Sequence, residues 1–449
     1  MLRNILVSNR GLFRSGVLPY IELEGPIGVY GLNSTSYILG WPSAYVAGGT
    51  PHYEYSLNNG SSWISAGTDR YAYVSSRTAS TTDQVRVRAN DGLATYSDEL
   101  TLDIALPALG SPTVVVSLIG SGGDYANPVL WEADGGSLAG NSNLGTANKL
   151  LQALLLNQEF VNTPCIIEGM TATATCYREL NVFPGCSFKD HASRRHGNPM
   201  RYNPAAGAAM RYGSVTQDPT VDLREGYSRI KRLQLASRGN GTSTFGGFGV
   251  HTSSPTLPCY MDDTVVESGG PENVFSFNYG PHRIRNCIAI STRPVGASAL
   301  VCIAENNFTE HYNVLFIAIG QRAPLFSVAR TTQTRFRNCA VFGADLIQDL
   351  SLNGGDSNGS PVWENCYTDA SQQRLKNGTL AALPAGVTQI AFDTSTGSGF
   401  RSITYPTHDM TLLETSALIN AGQIDSTNAP RDITGKLRSG TNDVGPWQS

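Results

Sequence analysis

Four short segments of this chain align on one another: Arg229-Ile-Lys-Arg-Leu233-Gln-Leu, Arg283-Ile-Arg-Asn-Cys287-Ile-Ala, Arg335-Phe-Arg-Asn-Cys339-Ala-Val and Val362-Trp-Glu-Asn-Cys366-Tyr-Thr. Two weaker copies, Leu257-Pro-Cys259-Tyr and His311-Tyr-Asn-Val314-Leu-Phe, fall between them. The aligned positions are Leu233, Cys259, Cys287, Val314, Cys339 and Cys366, separated by 26, 28, 27, 25 and 27 residues on subtraction. Every member is apolar or a thiol, and five follow directly on an Asn or an Arg. A period of this size carried by short β-type runs is the mark of a solenoid. One coil cannot bury its own apolar face, so coils stack and each covers the next. The spacing predicts a right-handed, single-stranded parallel β-helix with these six residues in one inward ladder.

Composition agrees with a turn-rich all-β chain. Charged residues make up 15 % of the 449, well below the ordinary quarter, while hydrophobic residues reach 40 % and glycines number 47. The net charge of −4 supplies no overall positive field for nucleic acid. No apolar run approaches the length of a membrane span. All eight cysteines lie between Cys165 and Cys366, and several follow the coil period. They read as reduced, buried apolar fillers, with surface disulfides as the alternative. There is no Cys-x-x-Cys and no His-x-x-x-His, so neither a zinc site nor any other cofactor is expected.

Residues 1–19 carry Arg3, Arg10 and Arg14 with no acid before Glu22, and are expected to form an anchoring arm held against a partner in an assembly. The apolar run at the start is too short for a secretory signal. Residues 20–106 predict a β-sandwich. Tyr53-Glu-Tyr-Ser-Leu alternates, Asn58-Asn-Gly60 is a hairpin turn, Gln84-Val-Arg-Val-Arg-Ala alternates strictly and Asn90-Asp-Gly92 turns again. The stretch from Tyr53 to Asp91 resembles fibronectin type III and related immunoglobulin-like domains, which implies a spacer or adhesive module. Trp63 and the tyrosines around it are expected inside this sandwich, sugar contact being the alternative.

Residues 107–112 form a linker, and residues 113–420 the β-helix. Within the latter, Thr146 to Glu159 predicts a helix that covers the first coil. Thr146 would cap it, and Leu150, Leu151, Leu154 and Leu155 would share a face. The Gly120-Ser-Gly-Gly-Asp124-Tyr125 turn lacks both nucleotide-loop endings. That turn, Trp131-Glu-Ala and the run from Pro164 to Gly185 resemble the opening of right-handed β-helix proteins of bacteriophages and bacteria. The close, Ala417-Leu-Ile-Asn-Ala-Gly422 through Asn442-Asp-Val-Gly445, resembles them too. The resemblance implies that residues 421–449 lie across the last coil. It also implies a homo-oligomer, often a trimer, although no heptads enforce one.

The search for chemistry yields only loose candidates. Glycan hydrolysis needs two carboxylates at a set separation. Asp262 or Asp263 with Glu305 or Glu310 lie two coils apart, and Asp345 with Asp369 about one. Gly355-Asp-Ser357-Asn-Gly359 spells a nucleophile-elbow pattern without the helix such an elbow needs. The basic tract from Lys189 to Lys231 and Arg232, which includes Arg194, Arg195, His196, Arg201, Arg211, Arg224 and Arg229, is diluted by acids and reads as a solvated face. Loops 294–299 and 353–360 are candidates for binding. The resulting expectation is a structural protein of a bacteriophage virion, a tail fibre, tail spike or capsid decoration. It would join other virion proteins through residues 1–19 and contact host polysaccharide, with no catalytic, cofactor-binding or metal residue. A glycan depolymerase and a bacterial surface adhesin are the alternatives.

Overall fold

The computed structural model describes residues 21–446, apart from 24–26, 48, 94, 189–199, 214–218, 238–249, 253–256, 270–273, 279–280, 293–300, 305–308, 320–326, 329–333, 350–360, 376–377, 392–398, 414, 424–428, 430–431, 434–437 and 439–442. The anchoring arm, Glu305, the Gly355–Gly359 motif and both candidate loops therefore lie outside the described residues, wholly or nearly so.

The chain is all-β: an N-terminal sandwich followed by a parallel β-helix. In the sandwich, His52–Ser56 pairs with Ile64–Gly67 on one side and Thr82–Asn90 on the other, and Leu100–Ala105 completes the sheet. The second sheet is Gly28–Tyr30, Tyr37–Gly40 and Tyr71–Val74. Asn59 and Gly60 both take positive φ, as a two-residue hairpin turn of that hand requires. Val85, Val87 and Ala89 alternate inward along the long strand and are fully buried. The core tryptophan is Trp41, packed beside Tyr53 and Tyr55. Trp63, expected inside, is half-buried instead. It stands just before the strand Ile64–Gly67, whose first residues are exposed, and the Arg88 guanidinium covers its ring at 3.9 Å.

Three parallel sheets make up the wall of the β-helix. The first runs through nine strands from Thr113–Ile119 to Val362–Glu364, the second through nine from Glu159–Val161 to Val387–Gln389, and the third through six from Cys165–Ile167 to Ser327–Val328. Parallel crossovers of this kind wind right-handed. At the turn from the first sheet to the second, one residue per coil sits in the left-handed region: Arg232, Asp263, Asn286, Asn313, Asn338 and Asn365, with φ between 51° and 58°. Asparagine tolerates that backbone and is enriched there. Its amides also bond up the stack. Asn286 Nδ2 donates to Asp263 Oδ1 at 3.2 Å, and Asn365 Nδ2 to Asn338 Oδ1 at 3.0 Å.

The residue after each corner points inward, and here the structure corrects one register. The strand pairings place Leu233, Thr264, Cys287, Val314, Cys339 and Cys366 in one row, all fully buried. Cys259 is buried in the same core but pairs with His282, in a different row. The coils differ in length there: the step from Leu233 to Thr264 is 31 residues and the next only 23. A near-even period had averaged the two. The thiols are free, and each bonds a main-chain carbonyl, as in Cys287 Sγ to Arg285 O at 3.1 Å and Cys366 Sγ to Phe336 O at 3.5 Å. Beneath the first sheet runs a second inward row, Ile230, Met261, Ile284, His311, Phe336 and Trp363. Its last three rings stack at centroid distances of 4.6 and 4.2 Å.

The expected capping helix over residues 146–159 is not there. Lys149–Leu155 is the second strand of the first sheet, paired in parallel with Thr113–Ile119 and Arg178–Val182. Its leucines are buried on both faces: Leu151 and Leu155 look into the rod, while Leu154 meets the sandwich. A run that is apolar on every side fits a doubly covered strand as well as a helix, and periodicity alone does not part them. The cap is built upstream from three short helices, Pro128–Ala133, Gly135–Ala139 and Leu144–Ala147. Asn127 and Asn143 cap the first and third through their side chains, and Trp131 is driven wholly into the rod. Arg178, 1 % exposed, ties cap to coil: it reaches Glu132 at 3.0 Å and Glu225 at 2.5 Å.

The sandwich docks on the start of the first sheet. Tyr30, Ile38 and Tyr71 pack on Leu154 and Phe183. Gly31 N donates to Gln152 Oε1 at 2.9 Å, and the Arg232 guanidinium lies 4.3 Å over the Tyr30 ring. At the other end of the chain, the described residues between 400 and 446 do not lie across the last coil. They run along the flank of the second sheet. That sheet is apolar outside as well as inside, because Val265, Ile288, Ile290, Leu315, Ile317 and Phe342 face outward. Phe400, Ile403, Met410, Leu412, Leu418 and Val444 cover them. The hydrophobic effect favours such cover, and burying each large side chain contributes roughly 1.5–3 kcal/mol.

Candidate functional site: the open face of the first sheet

Beyond the docked sandwich, the outer face of the first sheet is partly open: its cations are about one-third exposed, while Asp262, Glu310 and Tyr312 are buried among them. Alternation along each strand sends the residues on either side of the inward row outward. Stacking in register lines them up in two rows. One holds Arg229, Tyr260, Arg283, Glu310, Arg335 and Val362; the other Lys231, Asp262, Arg285, Tyr312, Arg337 and Glu364. Of these twelve positions six carry a cation and three an acid, a surplus of three. The face is positive although the whole chain is not.

Each acid of the two rows is engaged by a neighbouring base. Asp262 takes two bonds from Arg285, at 2.6 and 2.8 Å. Glu310 accepts from Arg283 at 2.9 Å and from the Tyr312 hydroxyl at 2.7 Å. Glu364 lies 3.6 Å from both Arg335 and Arg337. At the edge nearest the sandwich, buried Glu179 accepts from Lys231 at 2.8 Å and from Gln152 at 2.7 Å. Burial pushes the Glu179 carboxyl up, but the Lys231 charge and hydrogen bonds outweigh it and hold it below its ordinary value. Burial likewise pulls Arg285 down, and Asp262 more than restores it. Arg229 lies 3.7 Å over the Tyr177 ring and 5.0 Å over Tyr260. Cations held over rings keep their charge and a rigid place. The arrangement offers a flat, pre-organised, cationic and aromatic strip with a repeat set by the strand spacing of about 4.8 Å.

Of the carboxylate pairs considered from the sequence, the one between Asp262 and Glu310 is not brought together. Asp262 and Glu310 sit two coils apart in different rows. Asp369 accepts from Gly343 N at 3.0 Å, and Asp345 is exposed. The basic tract divides: Arg229 and Lys231 belong to the open face, Arg232 to a corner, and Arg224 pairs with Asp222 and Glu168. Arg201 and Arg211 line a separate cleft, and Arg194, Arg195 and His196 lie outside the described residues. The face itself was legible in principle, since Arg-x-Arg at 283–285 recurs two coils later at 335–337, each time with one residue turned inward between.

No family model matches the chain, and no curated protein matches it. Among solved structures, the sixth fibronectin type III domain of human fibronectin type III domain containing protein 3 is similar over 21 % of this chain and 93 % of its own, at 19 % identity and a TM-score of 0.17. Pectate lyase Pel3 from Pectobacterium carotovorum is similar over 82 % of this chain and all of its own, at 10 % identity and 0.25. A family 28 exopolygalacturonase from Yersinia enterocolitica covers 78 % of this chain at 9 % identity and 0.19. Similarities at this level carry no conclusion about activity.

Proposed function

We propose that this chain is a structural, surface-displayed protein of a bacteriophage particle, with the sandwich as spacer and the rod laying the open face of its first sheet along an anionic host glycan. The observation that carries the binding half of this reading is the surplus of cations on that face, fixed in register by its acids. An acidic polysaccharide is an extended anion with sugar rings. Guanidinium groups pair with its charges, and tyrosine rings pack on its C–H faces. Cleavage by two carboxylates asks for one protonated and one ionised acid free to reach the scissile bond. On the open face the three acids serve to hold bases, which favours binding over cleavage.

Two measurements test the reading. Retention of the full chain on an acidic polysaccharide should weaken with salt and fall at least about tenfold on Arg283→Glu with Arg335→Glu, since each lost charged contact contributes roughly 1 kcal/mol or more. Undiminished retention, or release of oligosaccharides from the polymer by the wild-type chain, overturns it in favour of another face or of a depolymerase. Mass spectrometry of purified particles should find the chain at a fixed copy number, many for a capsid decoration and few for a tail component. Its absence from particles removes the virion assignment.

A further inference from the structure

A cleft of about 290 Å³ lies on another side of the rod, where the insertion after the third strand of the first sheet meets the C-terminal segment. Glu159 and Arg211 enter it from neighbouring strands of the second sheet, Arg201 and Asn203 from the insertion. Glu159 is already engaged: its Oε1 accepts from Arg211 Nε and from the Tyr202 hydroxyl, each at 2.8 Å. It fixes Arg211 and offers no free acid. Arg201 is anchored at one nitrogen only. Its Nη1 donates to Pro406 O at 2.7 Å and to His408 O at 3.4 Å. Nε and Nη2 have no partner among the described residues. The main-chain N–H of Asn203 donates to Gln234 Oε1 at 2.8 Å, while its side-chain amide caps nothing. Pro204 and Pro406 supply rigid apolar edges.

We propose that this cleft binds a single acidic sugar residue, a pyranose whose carboxylate is taken by the open side of the Arg201 fork and the Asn203 amide while the proline edges pack on its ring. Two guanidinium groups against one carboxylate leave the cleft one positive charge in surplus. Planar Arg forks match a carboxylate with two parallel bonds. The volume lies at the small end of ligand pockets, enough for one ring and too little for a chain. The assignment deepens the glycan reading by naming a sugar class, but it rests on different residues from the open face.

Binding to the full chain is measured by saturation-transfer NMR and calorimetry with glucuronate, galacturonate, glucose and inorganic phosphate. The expected result is millimolar binding of a uronate, no binding of glucose, and loss of about tenfold or more in affinity on Arg201→Gln and on Asn203→Ala. Arg201→Lys should retain part of it, and Asn203→Ala, whose amide touches nothing described, should leave the thermal midpoint unchanged. Arg283→Glu with Arg335→Glu should leave uronate binding intact while lowering polymer retention at least about tenfold, so the two readings fail separately. Equal binding of glucose, phosphate binding as tight as the uronate's, no binding of either uronate, or affinity unchanged in both variants overturns the proposal.

Discussion

Asn338 and Gln423, 85 residues apart, exchange two hydrogen bonds: Asn338 Nδ2 donates to Gln423 O at 2.7 Å, and Gln423 N donates to Asn338 Oδ1 at 2.9 Å. The same asparagine holds a left-handed corner at φ 51°. One side chain thus stabilises the turn of a coil and pins the C-terminal segment to it. Asn338→Ala loses both bonds, and the one its Oδ1 accepts from Asn365, and strains the corner, an expected cost of about 2–3 kcal/mol. Asn338→Gly relieves the strain but not the lost bonds and should cost less. Thermal unfolding of the two variants checks the order; equal midpoints for Ala and wild type would contradict it.

His311 is fully buried in the inward row, stacked on Phe336. Burial, with a smaller push from His282, lowers its pKa to about 3 from an ordinary 6.5. The unfolded chain therefore binds a proton between those values that the folded chain refuses. The stability contributed by the neutral ring is complete above about pH 6.5 and drains as pH falls toward 3, by up to about 1.4 kcal/mol per pH unit. His311→Phe should flatten that acid slope while leaving stability at pH 7 nearly unchanged. Denaturant titrations at pH 4.5 and 7 report it, and an identical slope in the variant rules it out.

Arg178 and Glu225 are each 1 % exposed in their side chains. Burial raises the Glu225 carboxyl even with Arg178 beside it, so the acid depends on that partner to stay ionised. Arg178→Met strands a buried carboxylate and should cost about 3–5 kcal/mol, whereas Arg178→Met with Glu225→Leu should recover most of it. A double variant as unstable as the single one would show that the pair does more than neutralise itself.

Burial holds the Cys287 and Cys339 thiols well above their ordinary pKa. Together with Cys366 they should resist a thiol reagent in the native state and label only on unfolding. Of the seven described free cysteines, only Cys186 is not buried, and it should label first. Non-reducing mass spectrometry that finds Cys287, Cys339 or Cys366 in a disulfide would refute the inward row.

The rod was readable because its corners demand a rare backbone: Asn before an apolar residue at Asn286, Asn338 and Asn365 is a chemical signature of a left-handed turn repeated once per coil. Where the corner residue is Asp263 and the inward one Thr264, the signature fades, and Cys259 was drawn into the row in their stead. The leucines of Lys149–Leu155 misled for a different reason, since a strand covered on both faces has no alternation to show. Trp63 misled because an arginine, not a core, covers its ring. The open face needed knowledge of which residue between two arginines turns inward. The Arg201 cleft joins residues more than 200 apart, from Glu159 to Pro406, and no local pattern encodes such a meeting.

The C-terminal segment travels back along the coils it follows. Met410 bonds to Met200 of the insertion, and Gly445 and Arg438 bond to the corners at Asn338 and Asn286, so chain made last holds coils made before it. A stacked array joined only to its neighbours can unravel from a free end, one layer at a time. Here the outermost layers cannot peel without first stripping this splint from layers far behind them. Pulling on the rod should therefore meet one large rupture force before extension, not a staircase of small ones.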